Sequence, residues 1–419
     1  VFFVALRLDG LLAIHLSIGV ASSPMIDLQT ARAETPAADN GIYLNNAGCS
    51  LMPQAVIDAV QGYLSVEVET GGYRATIQEA EAIESVYDSV AALINAKPNE
   101  IALMGSHTLA WQSLFQGLSF KEGDRILTAR SEYAANYVAM LQMQKRTGCV
   151  IEIIPCSNDG ASDPVALDKM IDDKVKLIAI NWIPTNGGLM NPAAEIGRVA
   201  KAHGVPYLLD ACQAVGQMPV DVEELGCDYL SATGRKWLRA PKGTGFLYVR
   251  EDKLSAPGCE PGIIDDIGAP WTKADAYELL DTARRFETSE NAPSLRLGLG
   301  AAVDYARALG LETIRERVNN LAQNLRSELA ALPGIKLQDL GSERAGLVTF
   351  THDDIPAADI TATLGKENIC VKTIPQAGAY LDTQARDIHE LVRISAHYYN
   401  SEDELETVLK TLRAAIGAG

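Results

Sequence analysis

The chain has 419 residues, of which 47% are hydrophobic and 21% charged, an ordinary globular composition that excludes a disordered or low-complexity scaffold. Its 36 basic residues stand against 54 acidic ones, a formal net charge of -18, and such a field makes nucleic acid and anionic membrane surfaces unsuitable partners. The seven cysteines, at 49, 149, 156, 212, 227, 259 and 370, form no C-x-x-C pair, and the six histidines form no H-E-x-x-H. No metal and no disulfide framework are expected, and reduced thiols in the cytoplasm are.

Residues 1–24 hold an apolar run from Leu11 to Ala21, interrupted by His15 and Ser17 and too short for a membrane span of about 20 residues. It reads either as the core of a cleavable signal, which would send the protein to the periplasm or out of the cell, or as an extension upstream of Met25. Polar, Ala/Pro-rich residues continue to Asn40, so 1–40 reads as an N-terminal extension ending in a loosely held arm.

From Ile42 onward, short apolar runs alternate with amphipathic stretches. The runs are IYLNNA (42–47), IALMGS (101–106), RILTA (125–129), VIEIIP (150–155), LIAIN (177–181), YLLDA (207–211), YLSAT (229–233) and GFLYV (245–249). Helical periodicity falls at 54–68, 79–95, 110–118, 134–146 and 193–203. This alternation predicts βαβ units, an α/β fold with a mostly parallel sheet over 41–295. The continuous apolarity of LIAIN and YLLDA predicts strands covered on both faces. After residue 295 the pattern changes to a long helix at 296–331, then LVTFTH (347–352), a helix near 357–367, CVKTI (370–374), VRISA (392–396) and a final helix from Ser401. Residues 296–419 are therefore expected to be a connecting helix and a small α+β domain.

The segment 207–249 carries the chemistry. Lys236 follows a probable strand end between Arg235 and Trp237, a setting that suits a depressed pKa and covalent imine chemistry, although a surface Lys-Arg pair would look the same. Asp210 ends an apolar strand, where a carboxylate needs a cation or strong donor. The alternative for Asp210 is a capping role at a strand–helix junction. Three residues on, Gln213 offers an amide for a second polar atom of the same ligand. A buried carboxylate facing a lysine-linked heterocycle is what pyridoxal phosphate requires, because the carboxylate keeps the pyridine nitrogen protonated.

D-x-x-Q, S-x-T-G-R-K-W and P-K-G-T-G-F-L-Y-V, in this order and spacing, resemble the class V aminotransferase group of fold-type-I pyridoxal-phosphate enzymes, which includes cysteine desulfurases, isopenicillin N epimerase-like proteins and C–S lyases. The resemblance runs from about Ile42 to the end. Within the group, YLNNAGCS (43–50), ETGGY (69–73), EYAAN (132–136), the GRKW segment and VRISAHYYN (392–400) are most similar to hercynylcysteine sulfoxide lyase.

The resemblance implies a role for each matching position. His107 and Thr108, in MGSHTLA, fall where the group holds the cofactor phosphate, and a strand running into a helix there offers free backbone N–H groups. Thr233 and Arg235 match a phosphate-binding serine and histidine, with arginine keeping the cation. Tyr133 falls where desulfurases stack a histidine on the cofactor ring. Thr185 matches an asparagine near the ring oxygen, and Arg393 matches the arginine that forks the substrate carboxylate. RRFETSEN (284–291) resembles the loop that reaches the neighbouring subunit, implying a homodimer with shared sites. Glu290 stands at or near that loop's threonine, and Ser289 is the substitute hydroxyl. Tyr73, expected to bind substrate, joins Tyr133, Tyr380, His397 and Tyr398 as expected pocket lining.

Desulfurases carry a nucleophilic cysteine on the loop matching 375–390, where this chain has none. Cys370, inside an expected strand, should pack as a small hydrophobe. What remains is a pyridoxal-phosphate enzyme acting on a small amino acid, with Lys236 as the base at Cα. The expected reaction is C–S cleavage of a cysteine conjugate or its sulfoxide. Transamination and isopenicillin N-type epimerisation stay open. A binding protein without catalysis would be expected to lose Lys236 or Asp210, and both are present.

Overall fold

The computed structural model describes residues 25–255 and 259–417. The choice between a signal and an extension concerns residues 1–24, which lie outside them. Among the described residues no helix is long and apolar enough to cross a membrane.

A seven-stranded sheet has the order Ile101–Met104, Gly245–Val249, Tyr229–Thr233, Tyr207–Asp210, Val175–Asn181, Arg125–Thr128, Val150–Ile153. Every pairing is parallel except those of Gly245–Val249, which runs antiparallel to both of its neighbours. Each of the eight expected runs contributes a strand.

The pleat explains why the central runs are apolar throughout. Leu177, Ala179, Leu208 and Leu247 point to one side, into a core with Trp111, Leu114 and Phe115 of the helix His107–Gly117 and Met140 and Met143 of the helix Ala134–Thr147. Ile178, Ile180, Leu209 and Phe246 point to the other side. They meet Val86, Val90 and Ile94 of the helix Ala80–Ile94 and Leu299 and Val303 of the helix Pro293–Leu309. A period-2 chain with helices on both faces must be apolar at consecutive positions. The architecture is the α/β/α layering expected.

The helix expected over 296–331 is in fact two helices, Pro293–Leu309 and Leu311–Ala330, broken at Gly310 with φ +85°. That backbone suits glycine, which has no Cβ to clash there. The second helix bridges two cores. Ile314 and Val318 pack with the large sheet, whereas Leu321, Leu325 and Leu329 pack with a small antiparallel sheet. That sheet has the order Ile335–Leu337, Leu347–His352, Glu390–Ser395, Lys372–Pro375.

CVKTI also divides. Ile369–Cys370 pairs in parallel with Ile42–Tyr43, and Lys372–Pro375 joins the small sheet. Cys370 is exposed rather than packed, because in this two-residue strand Ile369 takes the inward position.

Residues 25–40 are not a loose arm. Asp27 caps the short helix Leu28–Ala33. Arg32 pairs with Asp39 and Glu404, each at 2.8 Å, and Arg239 Nη2 donates to Thr35 Oγ1 at 2.5 Å. Glu404 and Arg239 lie far along the chain, where local composition gives no signal of them.

Candidate active site

The functional side chains gather where the parallel strands end, at the carboxyl edge that α/β sheets use for ligands. A cavity of about 460 Å³ is lined by Ser106, His107, Thr108, Tyr133, Asn181, Ile183, Thr185, Asp210, Cys212, Gln213, Thr233, Arg235 and Lys236. Of the expected cofactor residues, His107, Thr108, Tyr133, Thr185, Asp210, Gln213, Thr233, Arg235 and Lys236 are therefore brought together, drawn from the ends of separate strands.

One wall is the start of the helix His107–Gly117. Ser106 is its N-cap, accepting from Leu109 N at 3.1 Å. The amides of His107 and Thr108, at the very start of this helix, precede the first intrahelical bond and face an anion-friendly dipole end.

The opposite wall is the loop after Tyr229–Thr233. Arg239 N donates to Lys236 O and Ala240 N to Gly234 O, so the lysine sits on a tight turn. Lys236 is 8% exposed, and its Nζ lies 6.0 Å from the centre of the Tyr133 ring. Burial pushes its ammonium below the ordinary lysine value, with Cys212 and Asp210 opposing that shift. A lysine held in this way has a larger neutral fraction and serves better as a base.

Asp210 is buried at the end of Tyr207–Asp210. Its Oδ1 accepts from Cys212 N at 2.9 Å, and its Oδ2 accepts from Asn136 Nδ2 at 3.1 Å. His107 Nε2 stands 3.2 Å from the same oxygen and 3.1 Å from Asn136 Oδ1. Both neighbours are acceptors, so Nε2 carries the proton and Nδ1 is the bare nitrogen, buried without a partner. Burial pushes the imidazole below its ordinary value, with Asp210 opposing, which keeps it neutral.

Gln213 departs from expectation. Its Oε1 accepts from Trp237 Nε1 at 2.8 Å and its Nε2 donates to Ala47 O at 3.1 Å, leaving one N–H for any ligand. The amide also serves to join the lysine loop to the segment 45–50.

Arg393 occupies the middle of Glu390–Ser395. Val392 and Ile394 point into the small core, so alternation turns Arg393 the other way. Its Nη1 donates to Thr185 O at 2.9 Å and Thr185 Oγ1 at 3.0 Å, and its Nη2 donates to Asn45 Oδ1 at 3.0 Å. Thr185 therefore orients this arginine. Arg393 Nε is buried and unpartnered, and burial, then Arg235, pushes the guanidinium down to about 10. Arg235 lines the cavity while donating from Nη1 to Gly48 O.

Five expected residues are elsewhere. Tyr73 is 93% exposed on the helix Gly72–Gln78 and away from the cavity. Ser289 donates to Asp265 Oδ2 at 3.1 Å on the exterior. With Glu290, it lies outside the cavity of its own chain. His397 and Tyr398 are buried behind the lysine loop, where His397 Nε2 meets Trp237 O at 2.9 Å and Tyr398 Oη accepts from Arg239 at 2.7 Å. Tyr380 is half exposed and is not part of the lining.

Sequence reasoning missed Asn136, Glu132, Asn45 and Cys212. The first two stand in a motif already singled out, but their signal is the contact of Asn136 with Asp210, more than 70 residues away, to which Glu132 is joined through the Asn136 amide. His107, Asp210 and Cys212 also place a nitrogen, an oxygen and a sulfur within 4.8 Å of one another, a set of potential ligands that spacing alone does not reveal.

The cysteine desulfurase of Escherichia coli O127:H6 (strain E2348/69 / EPEC) is 31% identical over 392 residues, covering 88% of this chain and 92% of that protein. The apo structure of cysteine desulfurase from Thermococcus onnurineus NA1 superposes with a TM-score of 0.87 at 26% identity, covering 95% of this chain and 100% of that one. The cystine C–S lyase C-DES, solved with its reaction product cysteine persulfide, shares the fold with a TM-score of 0.81 at 24% identity, covering 90% and 98%. The family model for aminotransferase class-V matches residues 42–408, and the chain belongs to that family.

Proposed function

We propose that this chain is a homodimeric enzyme that cleaves the Cβ–S bond of a cysteine-derived amino acid by β-elimination, the sulfur leaving as a thiol (or, from a sulfoxide, a sulfenic acid) and the remaining three-carbon enamine being hydrolysed by water to pyruvate and ammonia. It uses pyridoxal phosphate, and the residues present fit that group. The cavity combines a helix start with free amides, a buried lysine, a buried carboxylate, an aromatic face and, at His107 Nδ1, a buried nitrogen without a partner. Ser106, His107, Thr108, Thr233 and Arg235 would hold the phosphate, Tyr133 would cover one ring face, and Asp210 would keep the ring nitrogen protonated. When bound, the cofactor supplies an electron sink for negative charge at the substrate Cα.

The chain's own residues do the rest. Arg393 takes the α-carboxylate with the fork geometry that arginine provides. Lys236, held partly neutral by burial, removes the proton from Cα. The apolar walls around Ile183 and Tyr133 keep water away while this happens.

The observation that carries elimination rather than desulfuration is the distribution of cysteines. A desulfurase needs a thiolate beside the substrate sulfur. Among the seven cysteines, Cys212 alone lines the cavity, and burial, then Asp210, pushes its thiol well above the ordinary value. The segment 375–390 contains no cysteine. In its place the short helix Tyr380–Ala385 is pinned by buried Asp382, which accepts from Arg130, Asn186 and Arg386 at 3.0 to 3.3 Å. Free thiols support a cytoplasmic setting. Leu109, Ile263, Ile264 and Ile267, all exposed, support a subunit interface near the 284–291 loop.

The test is release of pyruvate and ammonia by the cofactor-loaded protein from cysteine, cystine, cysteine S-conjugates and their sulfoxides. Lys236→Ala should abolish release and the visible absorbance of the lysine-linked cofactor. Alanine formation with a persulfide on the protein would replace this reading with desulfuration. Full activity in Lys236→Ala would end it.

A further inference from the structure

The segment EYAAN gives the cavity one side chain, Tyr133, yet its two most buried polar residues are Glu132 and Asn136, 3% and 1% exposed. Neither lines the cavity. Both stand behind Asp210, and Asn136 uses every hydrogen-bonding atom it has. Its two N–H groups go to Asp210 Oδ2 at 3.1 Å and Glu132 Oε1 at 3.0 Å, and its Oδ1 faces His107 Nε2 at 3.1 Å. An amide used on all sides cannot flip without losing bonds in a buried place, where each loss is expensive.

Glu132 is held as firmly. Its Oε1 also accepts from Tyr133 N at 2.7 Å, and its Oε2 lies 3.2 Å from Thr128 Oγ1. We propose that Asn136 and Glu132 are positioning residues. The amide holds the Asp210 carboxylate in one orientation and His107 in its Nε2–H tautomer, and Glu132 holds the amide. The proposal rests on the cofactor reading above, since Asp210 matters through the ring nitrogen it would face.

Two carboxylates joined by one amide should not both be charged in a buried site. Burial, then Asp210, pushes Glu132 up to about 8. Because Oε1 already receives two N–H groups, the proton resides on Oε2, toward Thr128. At neutral pH Glu132 is thus the member of the network that holds a proton. The groups facing Glu132 are Asp210 and, across Asn136, His107. Lys236 and Arg235 act on His107 from the cavity side, while Thr128 and the Tyr133 amide are neutral. Ionisation of Glu132 adds a second negative charge behind Asp210 and strengthens the hold of any proton on the ring nitrogen.

The experiment compares the wild type, Glu132→Gln and Asn136→Ala as purified, pyridoxal-phosphate-loaded proteins. Three quantities are read: the cofactor dissociation constant, the visible spectrum as a function of pH, and the melting temperature of the apo forms. Asn136→Ala should weaken cofactor binding by about tenfold to a hundredfold, as expected for lost hydrogen bonds to a buried charge. Glu132→Gln is isosteric and should leave binding within about threefold, yet remove the spectral transition centred near 8.

If both variants melt like the wild type and keep its affinity and its spectral titration, the proposal is overturned. If Asn136→Ala does not fold, the spectral titration of Glu132→Gln decides alone. A wild type that takes up no pyridoxal phosphate would overturn the cofactor reading and this proposal together. Uptake with indistinguishable variants would overturn only this proposal.

Discussion

Two buried regions flank Lys236, and each contains an arginine and a histidine. Behind the lysine, Arg239 donates to Leu51 O at 2.7 Å, Tyr398 Oη at 2.7 Å and Thr35 Oγ1 at 2.5 Å. Its guanidinium lies 4.4 Å from the Tyr399 ring centre and 5.1 Å from that of Tyr398. His397, beside it, has Nε2 on Trp237 O and Nδ1 accepting from Tyr398 N. In front of the lysine, Arg393 keeps an idle Nε and His107 an idle Nδ1. Both pairs are equally buried, so burial does not separate them. Saturation does. A buried cation with every nitrogen partnered is a brace, and one with a buried nitrogen left idle is a receptor.

The same substitution on the two arginines should therefore give opposite results. Arg239→Met leaves Leu51 O, Tyr398 Oη and Thr35 Oγ1 without their donor, and should lower the unfolding free energy by about 3 kcal/mol. Denaturant unfolding of the apo protein measures this, and a loss under about 1 kcal/mol would mean that the brace is dispensable. Arg393→Met removes an uncompensated buried charge, so stability should stay level or rise. Its effect belongs in steady-state kinetics, where loss of the carboxylate fork should raise KM by about a hundredfold. A destabilised Arg393→Met with wild-type KM would reverse the assignment of the two regions.

At neutral pH the smallest effect concerns His397, which burial, then Arg239, pushes down to about 3. Its folded pKa lies below the unfolded value, so the unfolded chain binds the extra proton first as pH falls. The stability present above about 6.5 is lost progressively as pH drops toward about 3. His397→Gln should flatten that acid limb, and unchanged curvature in stability against pH would place the acid sensitivity elsewhere.

The sequence made some of this legible and hid the rest for a physical reason. Apolar runs and glycines are local signals, so the strands and layers could be read from them, whereas His107, Thr108, Tyr133, Thr185, Thr233 and Arg235 were reached only through the family resemblance and Cys212 not at all. Gly310 was readable in principle, but the helical periodicity on both sides of it masked the break. Saturation is not local. Arg239 and Arg393 each sit in an apolar stretch, and nothing near them in sequence says that one has all three nitrogens partnered beside two tyrosine rings while the other keeps its Nε idle. Tyr73 was placed at the site by motif likeness, and its solvent-facing position on the helix Gly72–Gln78 puts it elsewhere in this chain.

The clasp that Arg239 forms with Thr35 and the two tyrosines also governs when the site can be completed during synthesis. The strands that carry Asp210 and Lys236 are made before Tyr398 and Tyr399, and the intervening chain takes on the order of ten seconds at typical translation rates. Through that interval the lysine turn, with Arg239 at φ +64°, must wait in a conformation that is unfavourable without its partners. The lysine turn is thus translated well ahead of the tyrosines that brace it. A nascent chain stalled before residue 390 should expose this turn to protease, and one released after it should not.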